Sequence, residues 1–200
     1  MTDTDVEWRP EDHRASKMVK AIKGDTINGY FSSPVGGVWR KYNQGNVHEF
    51  VDRVPRALAT NIKRHNSAPA TLVPIPNSHV VATDTPGFKT LEMANKIAAH
   101  SGGLLIVKPA LVFHTVQQKS RHGGSRDPDY FEKAYKLVEE VDGPIILFDD
   151  VSTSGGHLIG AHRLLHDAAN SPVVLACTFG RATKVQRENP VGLLEEQIEL

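Results

Sequence analysis

The sequence predicts an α/β fold in which a parallel β-sheet is flanked by helices. Short segments that are apolar throughout recur along the chain, as in strands buried on both faces. Segments whose apolar residues recur at helical spacing separate them, and glycine and proline residues mark the junctions. Strands and helices that alternate in this way form a parallel sheet, and ligands of such sheets bind beyond the carboxyl ends of the strands.

The elements follow in a regular order. Strands are predicted at residues 70–75, 104–107, 145–148 and 173–179. Before the first strand, an apolar helical pattern is interrupted by Pro55, which predicts two short helices joined there. Between the first two strands, Thr85 and Pro86 are predicted to cap and begin a helix. Between the last two strands, a predicted helix has an apolar face made of Leu158, Ala161, Leu164, Leu165 and Ala168.

The length of the chain bounds its domain organisation. A chain of 200 residues, 40% of them hydrophobic, can bury one sizeable core, so we expect a single domain over residues 1–200. Within it we expect a loose arm, an N-terminal hood or helical region, a core and a C-terminal tail. These parts are placed at residues 1–17, 18–69, 70–180 and 181–200.

Charge and cysteine content exclude several classes of function. Lysine plus arginine equal aspartate plus glutamate at 23 each, so no net field draws the whole chain to nucleic acid or anionic lipid. Cys177 is the single cysteine, which excludes an intramolecular disulfide and a cysteine-cluster zinc site within one chain. The start of the chain is acidic and polar, and no apolar run approaches the ~18 residues of a membrane span. We therefore expect a cytoplasmic protein without a membrane partner.

The most informative segment is IILFDDVSTSGGH, residues 145–157. A predicted buried strand ends in Asp149 and Asp150, and a turn rich in glycine and hydroxyl groups then leads into a helix. Gly155 and Gly156 would let the backbone approach an anion closely, and the helix N-terminus offers N–H donors and a partial positive charge. The carboxylates would repel a phosphate at the same spot, but they suit the vicinal hydroxyls of a sugar. Together these groups predict a site for ribose 5-phosphate.

A different α/β fold is the competing interpretation of this segment. Walker-type and receiver-type proteins also place acidic residues or a glycine-rich turn after a buried strand. A Walker-type protein requires the pattern GxxxxGK[ST], which the sequence lacks. We therefore favour the ribose phosphate site.

This stretch resembles the phosphoribosylpyrophosphate-binding motif of type I phosphoribosyltransferases, which has four apolar residues, two acids and a threonine- and glycine-rich loop. The resemblance implies the fold of that family and a site for 5-phosphoribosyl-1-pyrophosphate (PRPP), with the carboxylates on the ribose hydroxyls and the loop on the 5-phosphate. The PRPP-binding residues that it implies are Asp149, Asp150, Val151, Ser152, Thr153, Ser154, Gly155, Gly156 and His157. His157 departs from the family pattern, which ends the loop in a hydroxyl residue, although an imidazole can also donate to phosphate.

Three further segments make the chain similar to the ComF-type branch of this family, which is associated with DNA uptake in bacteria. They are WRKY at residues 39–42, LVPIPNSH at residues 72–79 and QQKSRHGGSR at residues 117–126. The resemblance implies a pyrophosphate loop formed by Pro76, Asn77, Ser78 and His79. In this sequence the loop contains no lysine or arginine. ComF proteins begin with a cysteine-rich zinc module that this sequence lacks, so the resemblance concerns shared chemistry more than a shared biological role.

Residues 114–126 have the composition of a mobile basic flap that closes over an anionic substrate. The segment combines two adjacent glycines with Lys119, Arg121, His122 and Arg126. The resemblance to the family's flexible loop gives Lys119, Arg121 and Arg126 a catalytic role, in which they counter the charge of the leaving pyrophosphate. The alternative is an ordinary solvated loop, since charged loop residues usually face water.

The resemblance to type I phosphoribosyltransferases implies a magnesium-dependent enzyme. It would transfer phosphoribose to a small nitrogenous acceptor, such as a nucleobase, and release pyrophosphate. The transition state is oxocarbenium-like, so Asp150 is a candidate for stabilising positive charge at the reacting carbon. Magnesium is expected to be bound mainly through PRPP and water, and no residue is predicted as a dedicated metal ligand. The alternative is a non-catalytic regulator that binds PRPP or a nucleotide, or a DNA-uptake accessory protein. The sequence carries no strong nucleic-acid signal, and the resemblance leaves a homodimer open.

Other residues with chemical potential receive structural interpretations. His162 and His166 lie four apart on a predicted helix, but two histidines without a third ligand are interpreted as a surface pair rather than a zinc site. Cys177 is interpreted as an inert residue of a buried strand. Trp39 and Tyr42 either form part of a hood over an acceptor base or pack as core residues.

Overall fold

The computed structural model describes residues 7–118, 123–169 and 172–182. The described chain divides into two compact units, one that contains residues up to Val54 and one that runs from Pro55 to Arg181. The boundary lies earlier than the predicted end of the N-terminal region at residue 69. The helices and strands are α1 (Pro10–Lys23), β1 (Tyr30–Val35), β2 (Val38–Asn43), α2 (Val47–Val51), α3 (Val54–His65), β3 (Ala70–Pro74), α4 (Lys89–Ala99), β4 (Leu105–Val107), β5 (Leu111–Phe113), α5 (Pro128–Ala134), β6 (Tyr135–Leu137), β7 (Ile145–Ser152), α6 (Gly156–Ala169) and β8 (Val173–Arg181).

The second unit is built on a four-stranded sheet with the strand order β4-β3-β7-β8, in which every neighbouring pair is parallel. All five residues of β3 are buried, and so are the first five residues of β7. Strands buried on both faces must be apolar almost throughout, which is why these segments read as continuous apolar runs. The fold class predicted from the sequence, a parallel sheet flanked by helices, is confirmed.

Helices cover this sheet on both faces. The helix α6 packs against β7 and β8, and its apolar face joins Ile145 and Leu147 in one buried cluster. Successive residues of a strand point to opposite faces, so the buried side chains of Ile146 and Phe148 project to the other side of the sheet. The helix α4 packs against β3, β4 and β7. No helix in the described part of the chain has the length and apolar character that a membrane span requires.

A smaller antiparallel pair, β5 and β6, and the short helix α5 complete the same core. The ring of Tyr135 stacks there with the rings of Phe113 and Phe131, at centroid distances of 4.8 and 6.1 Å respectively. Asp127 caps α5 by accepting the N–H of Asp129 at 3.1 Å. These elements were not predicted from the sequence.

The N-terminal unit contains α1, the hairpin β1–β2 and α2. Phe31, Tyr42 and Phe50 form its aromatic core, with ring centroids 4.9 to 5.6 Å apart. Tyr42 is therefore a core residue, whereas Trp39 is 60% exposed and carries the guanidinium of Arg14 at 5.0 Å from its ring. The two aromatic residues that could have formed a hood together thus have different environments.

The loose arm predicted at residues 1–17 is wrong from Pro10 onward, where α1 begins. The backbone N–H of Arg9 donates to the Asp12 carboxylate at 3.0 Å, and the Arg9 guanidinium pairs with the same group at 3.1 Å. Pro10 suits the first helical position because its missing N–H would have no helical partner there. A polar segment with few apolar residues is therefore stabilised as a helix by local capping that apolar periodicity does not report.

The helix predicted to begin at Pro86 instead begins at Lys89. The Thr85 hydroxyl accepts the N–H of Ala82 at 3.1 Å and so stabilises a turn rather than a helix end. The N-terminal donor of α4 is satisfied from elsewhere, because the Asn77 side-chain oxygen accepts the Lys89 N–H at 2.9 Å. A cap supplied from twelve residues away cannot be recognised from the local pattern.

Candidate functional site

Two adjacent carboxylates, Asp149 and Asp150, lie in the second half of β7, because this strand continues to Ser152 and does not end at residue 148 as predicted. Asp149 is 9% exposed, and Asp150 is partly buried. The N–H of Asp150 donates to Asp149 Oδ1 at 2.8 Å, and the N–H of Val151 donates to Asp150 Oδ1 at 2.7 Å. Each carboxylate is therefore held by the backbone that follows it. The strand fixes the position of the pair, and the hydrogen bonds fix its orientation.

The loop after β3 leaves the sheet beside these carboxylates. Pro74 is the register partner of Phe148, and the N–H of Ile75 donates to the Phe148 carbonyl at 2.8 Å. The segments beginning at Pro76 and Asp149 consequently start next to each other at one edge of the sheet. The prediction that these two loops share one edge agrees with this strand pairing.

The loop of Pro76 to His79 is held by its carbonyl groups. The Asn77 carbonyl accepts the N–H of Val80 at 2.8 Å, and the Ser78 carbonyl accepts the N–H of Gln117 at 2.6 Å. No cis peptide bond is present among the described residues, and a trans peptide points its N–H opposite to its C=O. The N–H groups of Ser78 and His79 therefore point away from those partners. The loop can offer an anion these backbone N–H groups, the Ser78 hydroxyl and the side-chain N–H groups of Asn77, whose oxygen caps α4.

The turn between β7 and α6 is closed by a contact with Arg126. Gly155 has a φ of +84°, which an L side chain rarely adopts, and the Ser154 hydroxyl donates to the Arg126 carbonyl at 3.1 Å. The N–H of Gly156 donates to the same hydroxyl oxygen at 3.3 Å. A Cβ at Gly156 would lie 2.2 Å from the Arg126 carbonyl oxygen. Gly156 is thus required for the close approach of the protein's own backbone, a role that the sequence did not suggest.

A second glycine of α6 extends this contact. A Cβ at Gly160 would lie 2.8 Å from each of three atoms: the Glu132 nitrogen, the Phe131 Cβ and the Pro128 carbonyl oxygen. The helices α5 and α6 therefore pack in close backbone contact at this point. The contact places the segment before α5, including Arg126, over the turn at the start of α6. Of the predicted flap cations, Arg126 is thus beside the loop, and Lys119, Arg121 and His122 lie outside the described residues.

The side chain of His157 is packed into the aromatic core. Its ring centroid lies 3.7 Å from that of Phe131, and its Nδ1 lies 2.7 Å from the Tyr135 hydroxyl. Burial lowers the pKa of His157 from 6.5 to about 4, so the ring is neutral near pH 7. Burial, and next the charge of Asp149, raise the pKa of Tyr135 well above its usual value, so its hydroxyl keeps its proton. Both side chains are therefore neutral, the tautomer of the imidazole sets which of them donates in this hydrogen bond, and this position can contribute to an anion site through its backbone N–H.

Stability is expected to fall as the pH is lowered from 6.5 towards about 4 because of His157. Above pH 6.5 the imidazole is neutral in both the folded and the unfolded chain. Below pH 6.5, His157 of the unfolded chain binds a proton. In the folded chain His157 does not bind this proton until the pH approaches its lowered pKa of about 4. The loss in free energy of unfolding between pH 7 and pH 4.5 is expected to be roughly 2–3 kcal/mol from this residue.

Urea unfolding of the wild type and of His157→Asn at both pH values measures this contribution. The asparagine does not titrate, so the variant should lose less stability on acidification by that amount. His166→Asn, at an exposed position of the same helix, is the matched control and should behave as the wild type does. If the wild type and His157→Asn lost equal stability between the two pH values, the account of His157 would be wrong.

The remaining candidates have surroundings that favour structural roles. The His162 and His166 rings stack with centroids 5.9 Å apart, and no group of three potential metal-ligating residues occurs within residues 7–118, 123–169 and 172–182. Cys177 is buried in β8, and burial raises its pKa to about 11, which makes it a poor nucleophile. Tyr135 and Gln117 are contributors whose roles escaped prediction. Neither belongs to a local pattern, because their partners lie 22 and 39 residues away at His157 and Ser78.

Comparison with known proteins adds a distant similarity to solved structures. No protein-family model and no curated protein matches the chain. Among solved structures, the chain is similar to the orotate phosphoribosyltransferase from Aeropyrum pernix, with 15% sequence identity and a TM-score of 0.40, over 88% of this chain and 84% of that one. A similarity of this size leaves the assignment of a function to the residues described above.

Proposed function

We propose that this chain is a magnesium-dependent phosphoribosyltransferase that binds PRPP at the edge of the sheet beyond β7 and β3. The observation that carries the proposal is the continuous segment in which β7 bears Asp149 and Asp150 in its second half, ends at Ser152 and passes through the turn of residues 153–155 into α6. It puts carboxylate acceptors and a phosphate-binding helix end one short turn apart. A ribose 5-phosphate requires that combination.

The two halves of this segment suit the two halves of the ligand. Asp149 and Asp150 can accept hydrogen bonds from the vicinal ribose hydroxyls. The first turn of α6 has N–H groups without helical partners and a partial positive charge, which favour the 5-phosphate. Thr153 can add a hydroxyl donor, whereas the Ser154 hydroxyl already donates to Arg126. We therefore assign the phosphate mainly to backbone N–H groups of the turn and of α6.

The pyrophosphate is assigned to the neighbouring loop. The outward N–H groups of Ser78 and His79 can donate to its oxygens, in the manner of other backbone anion sites. The loop has no cationic side chain, so the charge must be balanced by other groups. The backbone carbonyl of Arg126 contacts the turn, and we propose that its guanidinium supplies part of this charge. A contribution of Lys119 and Arg121 stays a prediction.

Magnesium fits this arrangement as an ion bound chiefly through the substrate. The donors near the loop are the hard carboxylate oxygens of Asp149 and Asp150, which suit magnesium and its bound water. When bound, the ion would neutralise the charge of the pyrophosphate. The chain's own carboxylates would orient the ribose beside it.

The reaction that follows is substitution at the anomeric carbon of the ribose. The bond to the pyrophosphate oxygen breaks, the acceptor nitrogen bonds to the carbon, and the proton of the acceptor passes to solvent. Positive charge develops on the ribose ring as the leaving group departs, as it does in glycoside cleavage. Asp150 is proposed to stabilise that charge, and the backbone of Ser78 and His79 to hold the departing pyrophosphate.

A non-catalytic PRPP-binding protein, acting as a regulator or as an accessory in DNA uptake, is the second candidate. The specific observation in its favour is the loop of Pro76 to His79. This loop supplies no lysine or arginine for the leaving group. PRPP could still bind through Asp149 and the turn without a cation in this loop, whereas rapid departure of pyrophosphate would require one.

Pyrophosphate release from PRPP separates the two candidates. The assay contains magnesium and one acceptor at a time from a panel of purines, pyrimidines, orotate and small amines. Release with one acceptor, absent in the variant Asp149→Asn/Asp150→Asn, is the expected result and names the substrate. If no acceptor supports release although PRPP binds, the transferase proposal fails and the regulator replaces it.

A further inference from the structure

One buried polar contact joins β6 to the first turn of α6, at the end of the candidate phosphate loop. Tyr135, the first residue of β6, is 2% exposed, and its hydroxyl lies 2.7 Å from His157 Nδ1 in the first turn of α6. The charge of Asp149, at the end of β7, acts on the same hydroxyl group. The Tyr135 hydroxyl thus contacts the residue at the end of the segment of residues 149–157.

The surroundings of this pair are otherwise apolar. Phe113 stacks on Tyr135 with centroids 4.8 Å apart, and Phe131 lies against the His157 ring. A polar pair in such a core is costly unless each group finds its partner, so the hydroxyl and Nδ1 depend on each other. The same volume filled by two apolar side chains would remove the geometric constraint on the first turn of α6.

We propose that Tyr135 and His157 are positioning residues that hold the loop of residues 149–157 in the conformation that binds the 5-phosphate of PRPP. The inference rests on the proposed function. It explains why the phosphate loop ends in His157 where the family pattern has a hydroxyl residue. A hydroxyl residue at position 157 would offer the phosphate a donor. The histidine instead anchors the start of α6 to β6, and the phosphate is bound by the backbone that this anchor orients.

Three substitutions separate anchoring from direct phosphate contact. Tyr135→Phe removes only the hydroxyl. His157→Asn places an amide group near the position of Nδ1, where it can still hydrogen-bond to Tyr135 as donor or acceptor, so it is the conservative variant. His157→Thr introduces the hydroxyl that a phosphate contact would favour but loses the anchor. Tyr42→Phe is the matched control, because Tyr42 is equally buried and its hydroxyl accepts a hydrogen bond from Arg53 in the N-terminal unit.

The first measurement is amide hydrogen exchange of the full chain without ligand, read on peptides that cover residues 149–160. Tyr135→Phe and His157→Thr are expected to speed exchange of this segment by about tenfold, because an unpaired buried group weakens its local structure. His157→Asn is expected to keep most of the wild-type protection against exchange, and Tyr42→Phe is expected to leave exchange of this segment unchanged. Unchanged exchange in Tyr135→Phe would overturn the proposal, whether or not the protein binds PRPP.

The second measurement is calorimetric titration of PRPP with magnesium into the same variants. Tyr135→Phe and His157→Thr are expected to weaken binding by about tenfold, and His157→Asn to bind within about threefold of the wild type. If His157→Thr bound PRPP as tightly as the wild type or more tightly, position 157 would act by phosphate contact and the anchor would be wrong. If the wild type bound no PRPP, the proposed function would fail, and the exchange measurement would still decide whether the pair orders the loop.

Discussion

Replacing Asp149 and Asp150 together by asparagine is expected to weaken PRPP binding by about 100-fold or more, since each hydrogen bond to a charged group contributes roughly 1.5–3 kcal/mol. The carboxylates supply the negative charge that strengthens the bonds donated by the ribose hydroxyls. Asparagine keeps the size of aspartate, and its side-chain oxygen can still accept the N–H of the next residue. The fold should therefore survive while the ribose contacts weaken.

The measurement is a calorimetric titration of each protein with PRPP in the presence of magnesium, accompanied by urea unfolding to show that the variant is folded. Asp142→Asn is the matched control, because Asp142 is an exposed carboxylate just before the other end of β7. It should change neither affinity nor stability. An unchanged PRPP affinity in the double variant would show that Asp149 and Asp150 do not bind the ribose.

Gly160→Ala is expected to destabilise the protein by roughly 1–3 kcal/mol, the cost of overpacking a tightly packed site. In a solvated helix the same substitution stabilises by up to ~1 kcal/mol, so the packing reverses the usual sign. The reason is that two of the three atoms 2.8 Å from the added Cβ belong to the backbone of α5, and none lies at the far end of a flexible side chain. The two helices must move apart to accommodate the methyl group.

Urea unfolding of the wild type and Gly160→Ala measures this effect. Gly45→Ala is a control, since the nearest atom to its Cβ is the side-chain oxygen of Asn43 at 3.3 Å, and it should stay within about 0.5 kcal/mol of the wild type. Separation of α5 from α6 would also carry the Arg126 carbonyl away from Ser154, so PRPP affinity should fall with stability. A stabilised Gly160→Ala would contradict the close contact of the helices.

The parts of the fold that could be predicted are those in which burial dictates composition. The strands β3 and β7 are buried on both faces and therefore read as unbroken apolar runs. The acidic end of β7 and the glycine turn were recognisable because strand, carboxylates and helix start are contiguous. Once the sheet is parallel, the chain direction alone brings the loops after β3 and β7 to one edge.

The parts that could not be predicted depend on partners distant in sequence. Asn77 caps a helix twelve residues away, and Tyr135 anchors a histidine 22 residues away, so no local pattern announces either role. Gly156 was assigned to anion approach, yet the Arg126 backbone already requires a glycine there. In each case the residue type suggested a chemical property, and the tertiary contact decided its use.

The central claim is that this chain binds PRPP on the loop that begins at Asp149. Titration of PRPP into the wild-type protein with magnesium, repeated after removal of magnesium by a chelator, tests it most directly. Saturable binding at one site per chain that weakens strongly without magnesium is the predicted result. The absence of PRPP binding with magnesium present would contradict the claim, whatever the similarity of the loop to a known motif.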